Sequence, residues 1–135
     1  MISDTQMPKA YRDIIAEQVE VFGKEVSIDE CDKLPDTRDI PIEDPTAWLM
    51  IPDVICVSVD MKGSTQFSAN KQNKTTAKAY QLFTGTAVRL FDEFEAPYID
   101  VRGDGVLALF NSDQVYRSLA AAVTFRTFAC EVFES

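Results

Sequence analysis

Hydrophobic and polar positions alternate along this chain in two distinct periods, and the switches between them mark its elements. From Lys9 to Phe22 the apolar residues Tyr11, Ile14, Ile15, Val19 and Phe22 recur at three- and four-residue steps, and Gly23 follows where a helix cap would sit. An amphipathic lead-in helix is predicted there. Val26 and Ile28 then alternate briefly with polar neighbours, as in a short strand. Cys31 to Pro52 carries Pro35, Pro41, Pro45 and Pro52 among acidic residues, a density that disfavours helix and interior strand. That segment is predicted to be a connector or lid.

The pattern changes at Val54, where Val54-Ile55-Cys56-Val57-Ser58-Val59 forms a nearly continuous β-branched run ending in Asp60. Such a run predicts a strand buried on both faces. A helix is expected from about Thr75 to Phe94, with Tyr80, Phe83, Ala87, Leu90, Phe91 and Phe94 on one stripe, and Pro97 ends it. Two strands follow, Tyr98 to Arg102 and Val106 to Phe110. They flank Gly103-Asp104-Gly105, whose residues tolerate the positive φ of a tight hairpin. The last stretch, Asp113 to Ser135, reads as a helix with Val115, Leu119, Ala122, Val123, Ala129 and Val132 inward. No internal repeat interrupts this α/β plan, which divides at residue 52 into an N-terminal helix with its connector (1–52) and a core (53–135).

Composition narrows the chemistry. The 135 residues are 46% hydrophobic and carry 13 Lys and Arg against 22 Asp and Glu, a formal charge of −9. A chain of that sign repels phosphate backbones, so no nucleic-acid partner is expected. Histidine is absent, which removes Ser-His-Asp and Cys-His catalysis and His-ligated zinc together. Cys31, Cys56 and Cys130 are odd in number and widely spaced, and no apolar run reaches the length of a membrane span. A reducing cytoplasm is the expected setting, without membrane association.

Two aspartates stand out. Asp60 closes the most hydrophobic strand, and Asp104 sits at the tip of the hairpin that would most naturally lie beside it. Two carboxylates meeting at one sheet edge repel unless cations lie between them, and oxygen ligands select hard ions such as Mg²⁺ or Mn²⁺. The plainer alternative is that Asp60 caps the turn at Gly63 and Asp104 is simply the hairpin aspartate. After Asp60, Gly63-Ser64-Thr65 leads toward helix and exposes backbone N–H groups where phosphate could sit.

Val59-Asp60-Met61-Lys62-Gly63-Ser64-Thr65, followed 44 positions after Asp60 by Arg102-Gly103-Asp104-Gly105-Val106-Leu107-Ala108-Leu109-Phe110, resembles the catalytic domain of class III nucleotidyl cyclases. The resemblance runs from about Asp53 to Phe128 and implies a ferredoxin-like βαββαβ fold. It implies that Asp60 and Asp104 bind two divalent cations, Mn²⁺ or Mg²⁺, aided by the Met61 carbonyl. Lys62, Gly63, Ser64, Thr65 and Gly103 would hold the triphosphate. The implied reaction is attack of a ribose 3′-hydroxyl on the α-phosphorus of a nucleoside triphosphate, releasing pyrophosphate and a 3′,5′-cyclic nucleotide.

Purine cyclases of that family commonly carry a base-contacting lysine or glutamate four residues before the second metal aspartate, where this chain has Asp100. An ionised carboxylate accepts but does not donate, so it suits an N–H of uracil, cytosine or guanine and fits adenine poorly. Tyr98 and Arg102 share its side of the strand and are further base-pocket candidates, although Arg102 can equally serve only to pair with Asp100. The helix Tyr11-Arg12-Asp13-Ile14-Ile15-Ala16-Glu17 and the acidic Pro-rich connector resemble the stand-alone pyrimidine cyclases of bacterial anti-phage defence. That likeness implies cyclic UMP or CMP as product and makes Trp48 and Met50 candidates for covering the nucleotide, with a guanylate-type cyclase or a non-catalytic nucleotide-binding module as alternatives. The family builds its active site between two antiparallel domains, implying a homodimer, and its members continue past the last helix. A fragment is therefore expected, with Phe125, Phe128, Val132 and Phe133 leaving an apolar surface.

Overall fold

The computed structural model describes residues 7–61 and 73–132, and these form a mixed α/β fold. Helix α1 (Lys9–Phe22) begins after Pro8, whose carbonyl accepts the first helical N–H bonds from Tyr11 and Arg12, and ends at Gly23. Strand β1 (Ser27–Glu30) pairs in parallel with β2 (Ala47–Met50), with Ser27 opposite Ala47 and Glu30 opposite Met50. Between them lies a single 3₁₀ turn, Thr37–Asp39, whose N-cap Asp36 accepts from the Arg38 N–H at 2.9 Å and also pairs with the Arg38 guanidinium. Those bonds hold the Asp36 carboxyl below its ordinary pKa. The expected connector thus contains a strand. Prolines at 41, 45 and 52 flank β2 without entering it, and a two-stranded pair leaves an outer edge where missing donors cost nothing.

The larger sheet has the order β3 (Val54–Asp60), β5 (Gly105–Asn111), β4 (Tyr98–Arg102), and both of its pairings are antiparallel. β3 and β4 therefore run parallel on either side of β5, joined by helix α2 (Asn73–Glu93) as a split βαβ unit. Helix α3 (Val115–Val132) follows β5. This βαββα order matches the first five elements of the expected ferredoxin-like plan, and no sixth is found among the described residues.

One face of the sheet carries the core. Phe83, Ala87 and Phe91 of α2, Val106, Ala108 and Phe110 of β5, and Ala121 and Phe125 of α3 are buried together. The rings of Phe83 and Phe125 meet edge-to-face at 5.2 Å, and those of Phe91 and Phe110 at 6.4 Å, a geometry that aligns ring edges with ring faces. Helix α2 ends in a Schellman-type cap. Ala96 N–H reaches the Phe91 carbonyl, and Glu95 adopts φ 61°. The Glu95 carbonyl accepts from Gln114 and its carboxylate pairs with Arg117, tying this corner to the start of α3.

Three further expectations fail, each for a physical reason. β3 is not buried on both faces: Val54, Cys56, Ser58 and Asp60 are exposed, whereas Ile55, Val57 and Val59 pack on the core. Among the described residues helices cover only one side of the sheet, so a continuous apolar run here marks one buried face and one open face. Helix α3 is turned differently than expected. Ser118, Ala121 and Phe125 face inward, while Val115, Leu119, Val123 and Val132 are exposed. The helix is apolar nearly all round, so periodicity could not choose a face, and the small residues Ser118 and Ala121 let it approach the sheet closely. Ala122 and Ala129 are half-buried, with Ala129 against the core as expected. Finally, Phe125 is core rather than stray apolar surface, and the half-buried Phe128 ring lies 5.5 Å from it. Phe133 lies outside the described residues.

Candidate functional site

The open face of the sheet presents three cross-strand rows. In register they are Cys56, Leu109 and Tyr98; Ser58, Leu107 and Asp100; and Asp60, Gly105 and Arg102. Alternation puts all of these on the side away from the helices. The third row lies at the end of the sheet where the hairpin turns. Gly103 has φ 56° at the first central position of a two-residue turn and Asp104 occupies the second, as a type II′ hairpin requires.

At this end the strand that closes in Asp60 is hydrogen-bonded to the hairpin that carries Asp104. Asp60 is directly opposite Gly105, the residue after Asp104, and the next N–H along the strand, that of Met61, donates to the Asp104 carbonyl at 3.1 Å. Asp60 is exposed and Asp104 half-buried. Gly105 makes the arrangement possible. A Cβ there would stand 3.2 Å from the Val59 carbonyl oxygen, a tight approach, and 3.5 Å from Asp60 Oδ1, in ordinary contact with the carboxylate. With strands spaced at about 4.8 Å, Asp60 and Arg102 face one another across that glycine at roughly 10 Å between Cα atoms. The Met61 side chain packs on the core. Lys62, Gly63, Ser64 and Thr65 lie outside the described residues. Among those described, no group of three or more acidic, cysteine or histidine side chains is gathered for a metal.

Arg102 Nε donates to Asp100 Oδ2 at 2.6 Å, and this bond, reinforced by the opposite charge, raises the guanidinium pKa above its ordinary value. The pair is largely solvated, so it orients the Asp100 carboxylate more than it stabilises the fold.

Tyr98, at the other end of its strand, belongs to a feature that sequence reasoning missed. The connector folds over the open face there and borders an open apolar pocket of about 480 Å³, with Leu34, Pro35, Trp48, Tyr98 and Leu109 among its lining residues. Leu34 N–H donates to Asn111 Oδ1 at 2.7 Å and fastens the connector to the end of β5. Trp48 is 60% exposed, with its indole N–H on the Pro45 carbonyl at 3.1 Å. Met50 is exposed and does not line the cavity. Nothing in the sequence marks Asn111 as an anchor, because its partner lies 77 residues away.

Relatives of known designation share most of this chain. It is 38% identical over 110 residues to a uridylate cyclase of Propioniciclava tarda, an alignment covering 81% of this chain and 36% of the relative. It is 37% identical over 111 residues to a uridylate cyclase of Micromonospora echinofusca, covering 82% of this chain and 36% of the relative. The chain therefore spans about a third of the length of these curated relatives. No family model matches it. No helix among the described residues is long and apolar enough to cross a membrane.

Proposed function

We propose that this chain carries the metal- and phosphate-binding part of a uridylate cyclase, which converts UTP to cyclic UMP and pyrophosphate. The observation that carries the reading is the placement of Asp60 opposite Gly105 and beside Asp104, in a chain similar to two proteins named uridylate cyclase.

The carboxylates of Asp60 and Asp104 are hard oxygen donors of the kind that divalent cations such as Mn²⁺ and Mg²⁺ select. Asp60 and Asp104 would hold the ions, Mn²⁺ or Mg²⁺, with the Met61 carbonyl as a further ligand. When bound, such ions acidify the ribose 3′-hydroxyl and neutralise the charge gathering on the departing pyrophosphate. The O3′–Pα bond forms as the bond from Pα to the bridging oxygen of pyrophosphate breaks, and the hydroxyl proton passes to solvent. Gly103 and Gly105 leave the backbone open to phosphate, and Lys62, Gly63, Ser64 and Thr65 are the phosphate loop that the sequence suggests.

Asp100, held by Arg102, accepts the N3–H of uracil, and Tyr98 supplies an apolar wall for the base. Adenine has no N–H at the corresponding ring position. The open face, with Leu107 and Leu109 half-buried and Cys56 exposed, would be completed by a second copy, giving a homodimer. In this reading the product is a second messenger of antiviral defence.

The test is incubation of the full-length protein and Mn²⁺ with each of the four ribonucleoside triphosphates, the products being resolved by mass. Cyclic UMP from UTP, with little product from ATP, is expected. Cyclic GMP as the main product would transfer the reading to a guanylate-type enzyme, and nucleotide binding without any cyclic product would make the fold a binding module.

A further inference from the structure

The chemistry at the Asp60 end makes no use of the pocket between the connector and the sheet. That pocket reaches the open face at Tyr98 and Leu109, and no described residue of the Ser58 or Asp60 rows lines it. Gly105, opposite Asp60, is four residues from Leu109 along β5, about 13 Å away. The volume of about 480 Å³ is within the range of small-molecule sites. Its walls are held by the chain itself. Pro35, Pro41 and Pro45 restrict the connector backbone, and the bond from the Leu34 N–H to Asn111 ties the connector to β5. The bond from the Trp48 indole to the Pro45 carbonyl fixes the ring, which stays 60% exposed among apolar neighbours. Large aromatic surface kept in water beside a preformed apolar pocket is a feature of binding sites.

We infer that this pocket binds a small organic cation, with its apolar body against Trp48 and Tyr98 and its charged group at the rim beside Asp44. Charge selects the ligand. Asp44 is the only charged residue among the described residues that line the pocket. Its Oδ1 accepts from the Thr46 N–H at 2.9 Å and from the Thr46 hydroxyl at 2.8 Å. Those bonds, with a smaller contribution from Lys24 acting through space, hold the carboxyl below its ordinary pKa, so it is ionised at neutral pH. Asp44 is exposed, and a hydrated carboxylate gives direction more than affinity. The aromatic rings supply the rest: an indole whose N–H is already bonded still offers its π-face, and tryptophan holds a cation better than any other side chain ring. An anionic ligand would meet both Asp44 and a chain of net charge −9. A neutral ligand would make no use of the carboxylate. The site stands whether or not the far end of the sheet carries catalysis, because binding is read directly.

Three probes of matched shape test it on the full chain by isothermal titration calorimetry: phenylbutylamine, which is a cation at neutral pH, phenylbutanol, which is neutral, and phenylbutyrate, which is an anion. The amine should bind about tenfold more tightly than the alcohol, and the anion most weakly. Trp48 is the one tryptophan of the 135 residues, and its emission should change on addition of the amine. Asp44→Asn keeps the acceptor oxygen for Thr46 and removes the charge, so it should erase the preference for the amine over the alcohol. Trp48→Leu keeps an apolar wall without the π-face and should weaken the amine more than the alcohol. Circular dichroism checks that both variants keep the wild-type fold. Equal binding of amine and alcohol to the wild type would overturn the inference, as would an Asp44→Asn variant that retains the full preference. Amine binding weaker than about 10 mM, or binding that leaves the Trp48 emission unchanged, would equally remove the site.

Discussion

Replacing Asp60 or Asp104 by asparagine should lower turnover of UTP by the full-length protein about a thousandfold while leaving the fold intact. Asparagine keeps the size and one acceptor oxygen of the side chain but removes the charge that balances a divalent ion. Stabilisation of several kcal/mol is at stake at such sites, and each 1.36 kcal/mol is a tenfold change in rate. Asp60 is exposed at the end of β3, and Asp104 occupies a hairpin turn, so neither substitution removes core packing. Thermal midpoints within about 2 °C of wild type are expected. Steady-state assays at saturating Mn²⁺ read the effect, and turnover near the wild-type rate in either variant would remove the proposed chemistry.

The largest stability effect should come from Phe91→Ala. Phe91 is fully buried and touches Phe110 edge-to-face, in the layer where α2 meets the central strand β5. Truncating a buried Phe costs about 3–5 kcal/mol, counting both the lost transfer energy and the cavity. Against a typical stability of about 5–15 kcal/mol this is a large fraction. For a chain of this size it corresponds to a fall in thermal midpoint of roughly 10–20 °C. Val101→Ala, at a half-exposed position of β4, is the control and should change stability by less than about 0.5 kcal/mol. Calorimetry comparing the two variants checks the assignment of the core, and equal effects would contradict it.

Local chemistry made some elements legible before any coordinates. Apolar spacing and Gly23 mark α1, Gly103-Asp104 forces the hairpin, and Phe83, Ala87 and Phe91 keep helical spacing, so these elements fall where the pattern puts them. What failed depended on partners distant in sequence. β2 exists because it pairs with β1, some twenty residues earlier, and prolines on both sides hid it. The direction in which α3 faces was undecidable from a helix apolar on every side, and only the fit of Ser118 and Ala121 against the sheet settles it. The one-sided burial of β3 follows from which layers cover the sheet, a property no single strand encodes.

At the site, the sequence suggested that the hairpin lies beside the strand ending in Asp60. The register that sets Asp60 opposite Gly105, and the closeness of Asp60 Oδ1 to that glycine, come from long-range pairing. The cavity under Trp48 was invisible for the same reason, since its walls come from the connector and from β4 and β5.

The most direct measurement is Mn²⁺ binding to the full-length protein in the presence of UTP, followed by electron paramagnetic resonance, for the wild type and for Asp60→Asn and Asp104→Asn. Protein-dependent loss of the free-ion signal in the wild type, weakened at least tenfold in both variants, is the predicted result. Equal Mn²⁺ uptake by all three proteins would contradict the claim that these two carboxylates hold the ions.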